Sequence, residues 1–420
     1  MTSTTARPAA DSGLLQGWLG KALIGAFTGA VWAVTIAIVV AMSASLITGA
    51  AFSPQILGLT LAGGLGGLVQ ATTNPGPSGW LFDVRCAAVF VVSLAILTLG
   101  QPFGALSGVP VLLILIVTGL YFAAVKLCLA PIEAGPMNKF RREKSLMLTL
   151  RGFGLVFFGF VVMLPLYVMF MSSLTTQQVL FDNPLNLWPD FSDGLFKPFA
   201  SYFELWNTFN FGTYIWNSAL VSVVTVVLTL IMAVPGAYAV SRLDFPGRIG
   251  LSRSILAIYL VPAIVLVVPL YVVFTQIGLR GSLLGLMVVY PATTLPVALY
   301  MLQGYFRGLP AELEEAGLMD GCSRLRVIWE ITMPLALPAI ASVSLYVFMI
   351  AWNEFLFAFM FLDDPAAFTL PKGVNSLNSS EVPRQHLMAG AVISTVPIVV
   401  VFLAAERFLV QGLASGGVKG

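Results

Sequence analysis

Residues 307–334 read RGLPAELEEAGLMDGCSRLRVIWEITMP, and this stretch decides how the rest of the chain is to be understood. Arg307, Glu312, Glu314, Glu315, Asp320, Arg324, Arg326 and Glu330 crowd into it, although only 10% of the chain is charged. Long apolar runs flank it on both sides, so the charges mark a water-facing loop between two membrane spans. The loop also carries helix punctuation. Pro310 suits a first turn, and Glu312, Glu314 and Glu315 are well placed near the positive end of a helix dipole. Gly321 suits a turn with positive φ, and Ser323 suits the cap of a second short helix running through Glu330. Two short helices at an angle, held at a membrane surface, suit a grip on another protein; an ordinary solvated loop is the plainer reading.

Working outward, the 420 residues are 58% hydrophobic and have a mean hydropathy of +0.93. Those values exclude a soluble globular domain and indicate an all-α, polytopic membrane protein. Ten apolar runs are candidate spans: 21–47, 52–69, 84–99, 109–129, 152–173, 213–240, 254–277, 283–305, 335–362 and 387–407. They fall into four plus six, with the clearest boundary in the Pro- and Gly-containing, then basic, segment from Pro131 to Arg151. The expected division is an N-terminal extension over 1–136, a basic linker over 137–151 and a core over 152–420. The linker's Lys139, Arg141, Arg142 and Lys144 fit a membrane anchor first and an anionic-lipid contact second. In the second run, Gly63 and Gly67 form a small-xxx-small pair suited to close helix contact or to lipid.

With both termini cytosolic, seventeen of the twenty-one Lys and Arg residues lie inside; only Lys197, Arg280, Lys372 and Arg384 lie outside. The loop at 307–334 is then cytosolic. The apolar run following the polar residues 1–17 reads as a retained span and not as a cleaved leader. The net charge of +2 gives no reason to expect a nucleic-acid partner. Cys86, Cys128 and Cys322 lack metal-ligand spacing, and a lone His386 leaves little room for histidine metal sites or catalysis. No G-x-x-x-x-G-K-[ST] motif is present, so ATP chemistry, if used, belongs to another polypeptide.

The sequence Glu315-Ala316-Gly317, three residues, Gly321, nine residues, then Ile331-Thr332-Met333-Pro334 resembles the EAA loop of ATP-binding-cassette importer permeases. Gly317 stands for the second alanine and Met333 for leucine. From about residue 150 onward, further motifs follow in family order. They are Pro165, Asn217-Ser218, Ala237-Tyr238-Ala239 with Arg242, Phe245-Pro246-Gly247-Arg248 and Pro269-Leu270-Tyr271. After the loop come Ala351-Trp352-Asn353-Glu354-Phe355, Thr369-Leu370-Pro371 and Gly416 to Gly420. This order is similar to the shorter membrane subunit of maltose-type carbohydrate importers. The resemblance implies a six-helix type I importer core in a bacterial or archaeal plasma membrane. It also implies a second homologous permease, two ATPase subunits that use ATP and Mg, and an extracytoplasmic solute-binding protein. In it, Glu315, Ala316, Gly317, Asp320, Gly321, Ile331 and Pro334 form the coupling element that docks on an ATPase. The four N-terminal helices lie outside the resemblance.

No catalytic, cofactor or metal residue is expected in this chain. Asn353 and Glu354 lie in an apolar run, so they suit either a hydrophilic substrate path or a helix–helix hydrogen bond with the second permease. Asn217 and Gln276 are weaker path candidates that also fit helix ends. The aromatics Trp188, Phe191, Phe196, Phe199, Tyr202, Phe203 and Trp206 suit stacking on sugars, and suit an interfacial belt better. An ion-coupled secondary transporter would need intramembrane relays and paired interrupted helices, of which the sequence gives little indication. Within the superfamily, an importer for glycerol 3-phosphate, another polyol or an amino acid is the alternative; a phosphorylated substrate would call for several cations along the path, and the sequence shows no such set within the spans.

Overall fold

The structure is a computed structural model that describes residues 18–73, 80–98, 100–103, 110–133, 139–192, 194–259 and 261–417. The polar start at 1–17, Gly135, Pro136 and the closing residues 418–420 lie outside the described residues. The chain forms two compact units, divided between Asp190 and Phe191.

The first unit holds α1 (Trp18–Thr48), α2 (Ile56–Thr73), α3 (Trp80–Leu97), α4 (Pro110–Glu133), α5 (Lys139–Leu174) and the short α6 (Gln177–Asp182). Its tightest contact joins α1 to α2 through two crossed glycine pairs. A Cβ on Gly29 would lie 2.0 Å from the Gly63 carbonyl oxygen, and one on Gly67 would lie 2.1 Å from that of Gly25. Only hydrogen at these four positions lets the backbones approach so closely, so Gly63 and Gly67 face a helix and not lipid. Tyr121 of α4 donates to the Gly63 carbonyl at 2.8 Å and stacks on Phe90 of α3, with centroids 4.0 Å apart. α5 is tied in by Ser145, which donates to the Cys128 carbonyl at 2.8 Å, and by a 3.1 Å Thr28–Thr149 hydroxyl pair. Residues 139–151, read from sequence as a linker, are the opening turns of α5 and run without a break into its apolar span.

The second unit holds α7 (Ala200–Asn207), α8 (Phe211–Arg242), α9 (Arg248–Tyr259), α10 (Ala263–Gln276), α11 (Leu283–Gly308) and α12 (Ala311–Met319). It continues with α13 (Arg324–Val327), α14 (Met333–Asn353), α15 (Leu356–Phe361), α16 (Leu370–Ser376) and α17 (Arg384–Gly417). At its centre α8 packs on α11 and α14, and α14 also packs on α17. Small and hydroxylated residues of α8, including Ser218, Ser222, Thr225 and Thr229, are buried along one face at helical spacing. Thr229 pairs with Thr294 of α11 at 2.7 Å, which satisfies two polar groups inside an apolar contact.

Eight described helices are long and apolar enough to cross a membrane, and two shorter apolar helices, Arg85–Leu97 and Ala263–Gln276, accompany them. The ten apolar runs thus correspond to helices, with two corrections. The run 254–277 is two helices, α9 and α10, because Pro262 has no N–H to continue a helix and instead precedes α10 in extended conformation. The run 335–362 breaks at Glu354, whose extended backbone (φ −67°, ψ 121°) ends α14 before α15 starts. Interrupted helices are therefore present, contrary to the sequence reading.

Candidate functional site

The region 307–334 folds as an elbow. α12 begins directly after Pro310 and carries Glu312 and Glu314 in its first turn. It ends in a Schellman motif: Cys322 N–H donates to the Gly317 carbonyl at 3.1 Å, and Gly321 N–H donates to that of Leu318 at 3.1 Å. Gly321 has φ +81°, the left-handed conformation such a C′ position needs, and a Cβ there would meet no heavy atom within 4 Å. Backbone conformation, and not space, therefore selects glycine at this turn. Asp320 is the C-cap residue, and its N–H donates to the Ala316 carbonyl at 2.9 Å. The Ser323 hydroxyl accepts from Arg326 N–H at 3.4 Å and caps α13.

The second limb is less regular than a simple helix. Ile328–Thr332 forms a π turn between α13 and α14. Pro334 lacks the N–H that would serve Glu330, and its ring displaces that carbonyl, so the ladder slips to the longer spacing. Gly317 is buried against this limb: a Cβ there would lie 2.7 Å from Ile331 Cδ1 and 3.1 Å from Val327 Cγ2. The glycine that replaces the second alanine of the motif thus lets α12 sit closer to Ile331. Ala316, Asp320 and Pro334 are exposed.

Glu315 is exposed and has no ion partner among the described residues, whereas its neighbour Glu314 is bound on three sides. Glu314 accepts from Tyr238 Oη at 3.0 Å and from Thr332 Oγ1 at 3.1 Å. Arg242 Nε lies 3.5 Å from Glu314 Oε1, in an ion contact longer than a hydrogen bond, and both side chains are 12% exposed. The Arg242 guanidinium also donates to the Leu309 carbonyl at 2.6 Å. One carboxylate thereby fastens α12 to the end of α8 and the start of α14. Sequence reasoning missed this role. The available clue was the Tyr238/Arg242 pair at the end of an apolar run, two residue types that suit a carboxylate.

The polar residues of the spans are less alike than their sequence suggests. Asn217, 5% exposed and two turns into α8, donates from Nδ2 to the carbonyls of Ala366 and Phe368, both at 3.0 Å. Ser218 accepts from Leu370 N–H at 2.7 Å. Together they clamp the segment leading into α16, so the Asn-Ser and Thr-Leu-Pro motifs meet in space. Glu354 uses both carboxylate oxygens on α15, accepting from Phe357 N–H at 2.9 Å and Ala358 N–H at 3.2 Å. Asn353 is exposed and donates back to the Met349 carbonyl at 2.9 Å. Gln276 is exposed at the last position of α10. Asn217, Glu354 and Asn353 therefore do not share one polar cluster through these bonds.

Near α16, Arg280 pairs with Asp363 and lies 4.7 Å from the Tyr271 ring centroid. Lys372 donates to the carbonyls of Phe359, at 3.0 Å, and Leu362, and packs over Phe368. Partial burial lowers the Lys372 pKa from its ordinary value; Asp363 opposes that shift and Arg280 adds to it. His386, 4% exposed, meets the Glu204 carboxylate at 2.6 Å and joins α17 to α7. Among the described residues no group of three or more His, Cys, Asp and Glu side chains could hold a metal ion.

The chain is thus a multi-pass helical membrane protein with a charged elbow carried between two core helices. The family model described as "Binding-protein-dependent transport system inner membrane component" matches residues 225–415. The Escherichia coli inner membrane ABC transporter permease protein YcjP is 38% identical over 277 residues, which are 64% of this chain and 95% of that protein. The chain belongs to this family of inner-membrane permeases. The trehalose/maltose transport system permease protein MalG of Thermococcus litoralis is 37% identical over 215 residues, covering 51% of this chain and 77% of MalG. The arabinooligosaccharides transport system permease protein AraQ of Halalkalibacterium halodurans is 30% identical, covering 67% of this chain and 99% of its own. A bacterial ABC transporter involved in import of the acidic polysaccharide alginate shares the fold. Its TM-score is 0.54 and its identity 23%, over 65% of this chain and 99% of that one.

Proposed function

We propose that this chain is the membrane subunit of an ATP-driven carbohydrate importer. It pairs with a second, homologous permease, two ATPase subunits and an extracytoplasmic solute-binding protein. Hydrolysis of ATP, with its Mg, takes place in the ATPase subunits and not in this chain. The carrying observation is the division of labour between adjacent carboxylates. Glu314 is spent inside the chain, while Glu315 is exposed and unpaired on a helix whose end is fixed by Gly321. An exposed charge on a rigid short helix is what a docking surface needs, because it can pair across an interface without ordering a loop first.

The substrate class rests on relatives named for trehalose/maltose and arabinooligosaccharide transport. In this reading, the elbow faces the cytosol together with both termini. Closure of the ATPase pair pushes on α12, and the Glu314 anchor passes that displacement to α8 and α14, which rock the core between its two open states. Residues 152–420 are the transport core, and 1–136 are an added four-helix extension joined through 137–151. Relatives that use nearly all of their own length on about two thirds of this chain support that extra segment. Asn353, Glu354, Asn217 and Gln276 stay as path candidates, with Asn353 and Gln276 favoured by their exposure.

The test is a mild-detergent pull-down of tagged wild-type and Gly321→Asp chains. Recovery of an ATP-binding-cassette ATPase with wild type and its loss with the variant is expected. Absence of any such ATPase, under conditions that preserve other membrane complexes, would overturn the reading.

A further inference from the structure

The first unit contains an open groove of about 570 Å³ between α1, α4 and α5. Trp32, Val39, Leu120, Cys128 and Leu155 line it, together with one cation, Arg151. Gly152 lets Trp32 into the floor, since a Cβ there would lie 2.6 Å from the indole. The α5 side of the groove runs from Leu148 to Val156, about 12 Å along the helix.

Arg151 is exposed and has neither an ion pair nor a hydrogen bond among the described residues, unlike Arg242 and Arg280. An unpaired guanidinium beside an apolar groove at the start of a membrane span lacks its counter-ion. Lys144, also exposed and without a partner among the described residues, lies seven residues earlier. Seven residues bring it back to within about 20° of Arg151 on the helix surface, roughly 10 Å further toward water. The face of α5 therefore presents Lys144 first and then an apolar trough from Leu148 to Val156 that carries Arg151 on its lining.

We propose that this groove is a binding site for an anionic phospholipid, with one acyl chain along α5 and the phosphate held by Arg151 and Lys144. Charge complementarity selects the occupant. A neutral lipid would leave both cations unsatisfied, and an apolar helix from another protein would bury Arg151 without a partner. Such a site requires only the membrane location of the family and is independent of the carbohydrate-importer reading.

The test places full-length protein in nanodiscs of equimolar phosphatidylglycerol and phosphatidylcholine, then counts the lipids retained after transfer to mild detergent by native mass spectrometry. Retained phosphatidylglycerol in excess over phosphatidylcholine is expected. Each cation near the headgroup contributes about a fivefold preference, so Arg151→Ala or Lys144→Ala lowers the excess about fivefold and the double variant about thirtyfold. Arg151→Lys keeps most of it, and Ala124→Phe, which fills the groove, removes it. Lys144 is a surface side chain, so its substitution reads the site without touching the fold. Equal retention of the two lipids, or an excess indifferent to Lys144→Ala and Arg151→Ala, would overturn the proposal. So would a second protein seated on this face in place of lipid.

Discussion

Replacing Glu314 with alanine should release α12 from the rest of the second unit. At 3.5 Å and an effective dielectric of about 20, the Arg242–Glu314 attraction is about 5 kcal/mol before desolvation. Much of that offsets the burial of two side chains that are only 12% exposed. Removing one partner is different from removing both. It leaves the Arg242 charge with only the Leu309 carbonyl and strips the Tyr238 and Thr332 hydroxyls of their acceptor. The expected loss is about 3 kcal/mol, the lower end for breaking a buried pair, because the ion contact is long. Local opening of α12 then becomes about a hundredfold more frequent. Hydrogen–deuterium exchange on the peptide spanning residues 311–319 reads this directly. Thr332→Val removes one 3.1 Å bond, worth about 1 kcal/mol, and should accelerate the same amides about fivefold. Unchanged exchange in Glu314→Ala, or a larger effect of Thr332→Val, would refute the anchoring role.

Three further outcomes follow from the same geometry. Gly321→Ala should cost about 1 kcal/mol through its positive φ alone, and Gly321→Asn less, as read by exchange across the elbow. Gly29→Ala should lower the melting temperature in detergent, because a Cβ 2.0 Å from the Gly63 carbonyl must push α1 and α2 apart; a cost of about 1–3 kcal/mol is expected. Asn217→Ala should strand two carbonyls in the segment before α16 and make residues 363–370 the first site of proteolytic cleavage, at about 2 kcal/mol.

The elbow was largely legible in the sequence because its determinants are local. Charge density marked the loop, Gly321 marked the left-handed turn, and Ser323 marked a cap, each within a few residues of its effect. The Glu314 anchor was not legible, since Tyr238 and Arg242 lie some seventy residues away and nothing local separates Glu314 from Glu315. The Asn217 clamp was hidden for the same reason, its partners being carbonyls, which carry no residue identity. The break before α10 was misread because proline is ambiguous inside a membrane span. Pro165, Pro235, Pro269, Pro291, Pro296, Pro338 and Pro397 all sit within continuous helices, while Pro262 precedes a new one. The Gly63/Gly67 pair had two readings in sequence, and only the position of Gly25 and Gly29 opposite them chose between these.

The most direct test of the coupling role is ATP-driven uptake of a labelled oligosaccharide in proteoliposomes, comparing the assembled wild-type importer with a Glu315→Lys variant. Because Glu315 is exposed and unpaired among the described residues, the variant should fold normally and keep its α12 exchange pattern. It should lose ATPase association and uptake together. Full uptake with Glu315→Lys would contradict the claim that this face of α12 docks the ATPase.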